Sequence, residues 1–65
     1  MEIKIYKGRF GEEQFLFEDS KSEWVPCKND LIFYQTEVYK VMYIMFDYDH
    51  NETSIFVREA IEEDF

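Results

Sequence analysis

The residues of this chain that could do chemistry are few and lie far apart in the sequence. The chain has one cysteine, Cys27, and one histidine, His50. A thiol nucleophile needs a base within hydrogen-bond reach, and no motif of the sequence brings His50 to Cys27. Adjacent carboxylates such as Glu12 and Glu13 lie in a polar segment where nothing raises a pKa for acid–base catalysis. We therefore predict that the protein has no catalytic residues and is not an enzyme.

The segment 47–52 has the Asp-x-Asp-x-Asn spacing with which a calcium-binding loop begins. The pattern then fails, because Glu52 stands where the loop needs glycine and Arg58 stands where a bidentate glutamate closes the site. We predict instead a polar hairpin turn in which Asn51 or His50 takes a left-handed conformation. No metal ion and no cofactor is expected.

The chain is strongly acidic, and its charge is unevenly distributed. The net charge is −8, from 15 Asp and Glu residues against 7 Lys and Arg residues. Residues 1–11 are slightly basic, so the negative charge lies in the rest of the chain. Such a surface repels nucleic-acid phosphates and anionic lipids and attracts basic proteins. We expect a basic protein partner, without direct binding to nucleic acid or to a membrane.

The predicted centre of the fold is the stretch 31–48. It contains no glycine or proline and is dominated by Val, Ile, Tyr, Phe and Thr, which favour a pleated sheet. Its only polar interruption is the Gln-Thr-Glu segment at 35–37, so it predicts two strands, at about 31–35 and 38–48. A helix is excluded because no polar stripe recurs every 3.6 residues.

The second of these strands is apolar on both faces. Regular alternation places Met42 and Ile44 on one face and Val41 and Tyr43 on the other. A strand of a one-sided sheet alternates apolar with polar side chains, so this strand needs a second cover. Two explanations stay open. The strand is bent so that its halves cover different sheets, as in a small barrel, or its second face contacts another chain.

Three further strands are predicted on either side of this centre. Residues 1–7 alternate apolar with polar side chains, and shorter apolar runs occur at 14–18 and 53–59. Phe15 and Phe17 are two positions apart in the second of these strands. We expect them to share a face and to enter the core together.

The residues that lead into the central stretch resemble a known family. The pattern is Val-Pro-x-Lys-x-Asp-x-Ile at 25–32, followed by Tyr-Lys-Val at 39–41. It resembles the entry to the third strand of small Src-homology-3-like barrels, which short accessory proteins of bacteriophages and Gram-positive bacteria often carry. Those barrels usually have Gly-Asp where this chain has Asn29-Asp30. The resemblance covers about residues 25–57, implies a fold and brings no catalytic residue with it.

Together these patterns predict an all-β protein with residues 1–65 as a single domain. The expected architecture is a small antiparallel five-stranded sheet or Src-homology-3-like barrel. The acidic end at 60–65 is either a solvated, frayed terminus or a short helical turn that docks Ile61 and Phe65.

The chain has more aromatic surface than a domain of this size readily hides. Aromatic residues make up 20% of the sequence, and a domain this small buries only about 60% of its unfolded surface. Excess aromatic surface favours a homo-oligomer or a protein-binding patch. The residues predicted to bind the partner are Trp24, Tyr39, Tyr43, Tyr48 and Phe65.

These features favour binding over catalysis. We predict a non-enzymatic, acidic accessory module that binds a protein. The family resemblance suggests a phage-type inhibitor of a basic or nucleic-acid-binding host protein. The alternative is a small-molecule-binding or structural homo-oligomer. A single cysteine and the lack of a signal-peptide pattern favour a reducing, cytoplasmic location.

Overall fold

The structure, a computed structural model, describes residues 2–19 and 25–65. Within these residues it contains five strands and one short 3-10 turn, which confirms the all-β class and the helical turn near the C-terminus. The strands are β1 (Glu2–Lys7), β2 (Gln14–Asp19), β3 (Leu31–Tyr34), β4 (Glu37–Asp47) and β5 (Glu52–Glu59), and the 3-10 turn spans Glu62–Asp64.

All five strands belong to one sheet, in the order β2-β1-β5-β4-β3. Three neighbouring pairs are antiparallel, as predicted, but β1 and β5 are parallel. The sheet is therefore mixed, which corrects the expectation of a purely antiparallel one. A parallel pair needs a long crossover, and here the crossover contains β2, β3 and β4. No local pattern of the sequence reveals a pairing between its first and last strands.

β4 has apolar residues at both odd and even positions because the alternation of its side chains between the two faces of the sheet is interrupted once. From Val41 to Tyr43 the strand advances two residues while its partner β5 advances one, so Met42 is the extra residue of a β-bulge. The bulge puts Val41 and Ile44 on one face of the sheet and Tyr43 on the other. The predicted regular alternation is therefore wrong beyond Met42. After the bulge the even-numbered residues face the core instead of the odd-numbered ones. The whole strand stays within a single sheet and does not divide between two sheets.

β2 contains a second β-bulge. Ile5 pairs with Phe17 and Tyr6 pairs with Phe15, which leaves Leu16 without a register partner. Phe17 packs against the core, whereas Phe15 lies on the opposite face with about half of its surface exposed. The expectation that both phenylalanines enter the core is wrong, because the bulge shifts which face each successive residue takes.

The core lies on one side of the curled sheet, called here the inner face. Its buried side chains come from β1, β4 and β5 and are Ile3, Ile5, Tyr39, Val41, Ile55 and Val57. Phe17 of β2 and Tyr34 of β3 stack with their ring centroids 4.0 Å apart. Since β2 and β3 are the two edge strands, this contact draws the edges together and the sheet forms a half-barrel.

A tight turn that contains Asn29 and Asp30 precedes β3. Asn29 has a φ of 76°, and the carboxylate of Asp30 accepts a hydrogen bond from the backbone N–H of Cys27 at 2.8 Å. The N–H of Asn29 donates to the carbonyl of Val41, and the N–H of Val41 donates to the carbonyl of Asp30, both at 2.9 Å. These bonds attach the turn to β4 and fix where β3 begins.

The β3–β4 hairpin has a two-residue turn with an unfavourable backbone. Gln35 and Thr36 have φ values of 49° and 65°, which suit Asn-Gly far better than a β-branched residue. We expect the double substitution Gln35→Asn and Thr36→Gly to raise the free energy of unfolding by about 1 kcal/mol, or the Tm by about 4–8 °C. Urea and thermal denaturation followed by circular dichroism measure this gain.

The matched control for that prediction is Thr36→Ala. It removes the branched side chain but keeps a residue with a Cβ at positive φ, so it should give a smaller gain than glycine. A double variant that is less stable than the parent protein would show that the turn is not strained.

Candidate protein-binding surface

A row of four aromatic rings crosses the sheet on the side opposite the core, called here the outer face. The outer aromatic row consists of Phe15 of β2, Tyr6 of β1, Phe56 of β5 and Tyr43 of β4, which are direct neighbours in the strand register. Successive ring centroids are 5.8, 5.6 and 4.8 Å apart. Phe56, in the middle, is only 2% exposed. The row is therefore a second hydrophobic centre, on the face that a one-sided sheet leaves to water.

Both β-bulges lie at this row. The extra residue Leu16 adjoins Phe15, and the extra residue Met42 adjoins Tyr43. A β-bulge increases the local twist and changes the direction of the side chains around it. The two bulges thus bring an aromatic ring from each flanking strand into register with the central pair, Tyr6 and Phe56.

The β1–β2 loop lies over part of the row and is attached to it by a tyrosine. The backbone N–H of Phe10 donates a hydrogen bond to the hydroxyl oxygen of Tyr43 at 2.7 Å. The ring of Phe10 meets that of Phe56 edge-on, with centroids 6.2 Å apart. Gly8 and Gly11 of this loop have φ values of 106° and 96°, which glycine adopts without strain. The loop thereby presents Phe10 with 64% of its surface exposed.

Exposed carboxylates flank the accessible end of the row. Glu12 and Glu13 belong to the same loop as Phe10, and Glu18 lies on the outer face of β2 because the bulge keeps it on the same side as Phe15. In the part of the chain that the structure describes, none of these three glutamates forms an ion pair. The aromatic surface therefore has a negatively charged border.

The basic side chains that share the outer face are bound to acidic partners. The Nζ atom of Lys4 lies 2.8 Å from Glu52, and this hydrogen bond raises the pKa of Lys4. Lys40 and Arg58, register partners on β4 and β5, both bind the carboxylate of Asp64. These pairs neutralise the cations that the strands place on the outer face. In the β1–β2 loop Arg9 is outnumbered by Glu12 and Glu13, so the border of the row stays negative.

The C-terminal turn is held on the outer face by the same carboxylate. Asp64 accepts hydrogen bonds from Arg58 at 2.9 and 3.0 Å, from Lys40 at 3.1 Å and from the N–H of Ile61 at 2.7 Å. Its side chain is 5% exposed, and donation from Arg58 above all holds the pKa of Asp64 well below its usual range. Ile61 and Phe65, the residues expected to dock, are exposed instead.

The structure does not bring together the four predicted partner-binding residues that it describes. Tyr39 is buried in the core of the inner face, which corrects its assignment to a surface patch, whereas Tyr43 belongs to the outer aromatic row. Tyr48 is almost fully exposed in the β4–β5 turn, and Phe65 is exposed at the end of the chain. Trp24 lies outside the described residues.

Sequence reasoning missed Tyr6, Phe10, Phe15 and Phe56 as members of a common surface. One signal in the sequence points to it: Phe56 falls between Ser54 and Arg58 on the polar side of the last strand. An aromatic residue at a polar position indicates a cover on that face. This signal does not identify the rings that lie beside Phe56. Those rings come from other parts of the chain, and two β-bulges and the pairing of β1 with β5 set their positions.

The β4–β5 turn is the polar hairpin turn that was predicted, with Asn51 at a φ of 54°. The Nδ1 atom of His50 lies 2.8 Å from the carboxylate of Asp47. Their hydrogen bond raises the pKa of His50 and lowers the pKa of Asp47. Among residues 2–19 and 25–65, no group of three His, Cys, Asp or Glu side chains is arranged to hold a metal ion.

The inner face contains a cavity at the open side of the half-barrel. It has a volume of about 260 Å³ and lies between the two edge strands, β2 and β3. Its lining is mainly apolar and includes Ile5, Phe17, Ile32 and Tyr34. A cavity of this size accommodates a small apolar group, such as one side chain or a small ligand.

Comparison with known proteins gives no relative for this chain: no family model, curated protein or solved structure matches it. In the described part of the chain no helix is long and apolar enough to cross a membrane.

Proposed function

We propose that this protein is a non-enzymatic, acidic module that binds a basic partner protein through the outer aromatic row. The observation that supports the proposal is the combination of a buried ring and exposed rings in one cluster. Phe56 is buried at its centre, while Phe10 and Phe15 remain 64% and 53% exposed. Protein interfaces have this arrangement, with aromatic side chains at the centre and a polar border.

The charge of the surface supports a basic partner. The chain has a net charge of −8, and the exposed glutamates at positions 12, 13 and 18 border the accessible rings. Long-range attraction speeds the encounter of oppositely charged proteins and weakens as salt screens the charges. The proposal thus includes a salt-dependent rate of association, and the contact of the rings supplies the part of the affinity that salt does not remove.

The sequence resemblance extends this proposal to a biological setting. Src-homology-3-like accessory proteins of bacteriophages suggest an inhibitor that occupies the basic or nucleic-acid-binding surface of a host protein. In that setting the acidic surface takes the place of nucleic-acid phosphates on the partner. The single cysteine, Cys27, is free and exposed, which suits a reducing cytoplasm.

The experiment is a quantitative capture of proteins from a lysate with the tagged chain and with the double variant Phe10→Ala/Phe15→Ala. We expect a basic protein that the parent chain retains and the variant loses, with affinity for the purified partner reduced about 30-fold or more. Both substituted side chains are largely exposed, so the variant should fold like the parent protein. Circular dichroism and calorimetric titration measure fold and affinity.

The matched control is the double variant Phe33→Ala/Phe46→Ala. Both residues are exposed aromatics that lie outside the outer aromatic row, and Phe46 pairs with Thr53, on the inner face. Capture should be unchanged in this variant. A partner retained equally by the parent chain and by the Phe10/Phe15 variant would show that the outer aromatic row is not the contact surface.

The cavity on the inner face supports a second candidate function, a small-molecule-binding or structural homo-oligomer. The cavity lies between the two edge strands, where a ligand or a side chain of a second copy would fill it. Native mass spectrometry detects a bound small molecule, and light scattering detects an oligomer. Either result on the purified chain would favour this candidate.

A further inference from the structure

We propose that the segment of the partner that contacts the outer aromatic row is rich in arginine rather than lysine. This inference rests on the proposed function and specifies the chemistry of the partner. It follows from two features that lie side by side on the outer face, namely exposed phenylalanine rings and carboxylates outside any ion pair among the described residues.

The first feature is ring surface. Phe10 and Phe15 extend from the loop and from the edge strand, while Phe56 and Tyr6 support them from behind. A guanidinium group is planar and weakly hydrated, so it stacks on an aromatic face with little loss of hydration. An ammonium group keeps its water more tightly and gains less from the same ring.

The second feature is the position of the carboxylates. Glu12 and Glu13 follow Phe10 within three residues, and Glu18 lies on the same face of β2 as Phe15. One arginine can therefore stack on a ring and direct its N–H groups to a neighbouring carboxylate. The loop itself contains one basic residue, Arg9, against two glutamates, so its net charge remains negative.

The protein already contains an arginine that binds a carboxylate through two hydrogen bonds on the same face. The two terminal nitrogens of Arg58 bind the two carboxylate oxygens of Asp64 at 2.9 and 3.0 Å. Arg58 is two residues from Phe56 on β5 and shares its face. The geometry of two parallel hydrogen bonds is available to arginine and not to lysine.

The test compares two synthetic peptides of equal length, one with six arginines and one with six lysines, each separated by glycine and serine. Isothermal titration at two salt concentrations gives their affinities for the full chain. We expect the arginine peptide to bind about 5- to 30-fold more tightly, the range that one or two cation–π contacts supply. The ratio of the two affinities should persist at the higher salt concentration, because salt screens stacking less than it screens charge attraction.

The ring-specific variant is Phe10→Leu/Phe15→Leu, which keeps apolar side chains but removes the aromatic faces. It should bind both peptides equally, whereas Phe33→Leu/Phe46→Leu should keep the preference for arginine. The triple variant Glu12→Gln/Glu13→Gln/Glu18→Gln should weaken the binding of both peptides. Equal affinity of the parent chain for the two peptides would overturn the inference, and so would a preference that survives in the Phe10/Phe15 variant.

These outcomes separate the inference from the proposed function. If capture of a partner depends on Phe10 and Phe15 but the peptides bind equally, the surface is correct and the arginine chemistry is wrong. If capture does not depend on these rings, the proposed function fails. Light scattering that shows a dimer dissociated by the Phe10/Phe15 variant would identify a second copy of this chain as the occupant and overturn the inference.

Discussion

Replacing Phe56 with alanine is expected to unfold much of this protein at room temperature. Phe56 is 2% exposed and contacts Tyr6, Tyr43 and Phe10 on the outer face. Removing a buried phenylalanine side chain costs about 3–5 kcal/mol, through lost burial and the cavity that remains. A chain of 65 residues has a total stability of about 3–10 kcal/mol, so this loss is comparable to the whole.

Urea denaturation followed by circular dichroism measures this effect, with two variants as references. Phe56→Leu keeps most of the apolar volume and should lose less stability than Phe56→Ala. Phe33→Ala removes a ring that is 72% exposed and should change the free energy of unfolding by about 0.5 kcal/mol or less. If Phe56→Ala were as stable as Phe33→Ala, the outer aromatic row would not be a second hydrophobic centre.

Replacing Asp64 with asparagine is expected to release the C-terminal turn from the outer face. The change keeps the size of the side chain but removes the charge that Arg58 and Lys40 bind. Apart from Asp64 the residues of the turn are exposed, so its attachment to the sheet depends mainly on the contacts of this carboxylate. Hydrogen exchange of the backbone amides at 61–65 measures the release, and the Tm should also fall.

The same interaction predicts how stability depends on pH. The pKa of Asp64 in the folded protein is lowered from its ordinary value of 3.8, so its stabilising effect is fully present above that pH. The effect is lost as the pH falls from 3.8 through the lowered pKa. The difference in stability between the parent chain and Asp64→Asn should therefore be constant above about pH 5 and shrink in more acidic solution.

The matched controls for Asp64 are its neighbours in the 3-10 turn. Glu62→Gln and Glu63→Gln each remove one negative charge from an exposed side chain of the same turn. They should leave both the exchange of the 61–65 amides and the pH dependence of stability unchanged. If either control behaved like Asp64→Asn, the turn would be held by the overall negative charge of the C-terminal segment. The specific contact of Asp64 with Arg58 and Lys40 would then not be the cause.

The sequence determined the local structure of this protein. The run of β-branched and aromatic residues at 31–48, interrupted only at 35–37, determined two strands and a tight hairpin. The glycines at 8 and 11 and the asparagines at 29 and 51 occupy turns with positive φ, which these residue types tolerate. Such features depend on a few consecutive residues, so local patterns predict them.

Tertiary structure alone decided which side chains share a face. The register shifts at Leu16 and Met42 move Phe15 and Tyr43 to the outer face. A bulge adds one residue to a strand whose side chains alternate with a period of two, and nothing in the local composition marks its position. The parallel pairing of β1 with β5 then places Tyr6 beside Phe56. The proposed binding surface is assembled from four strands, and its position depends on pairings between distant parts of the chain.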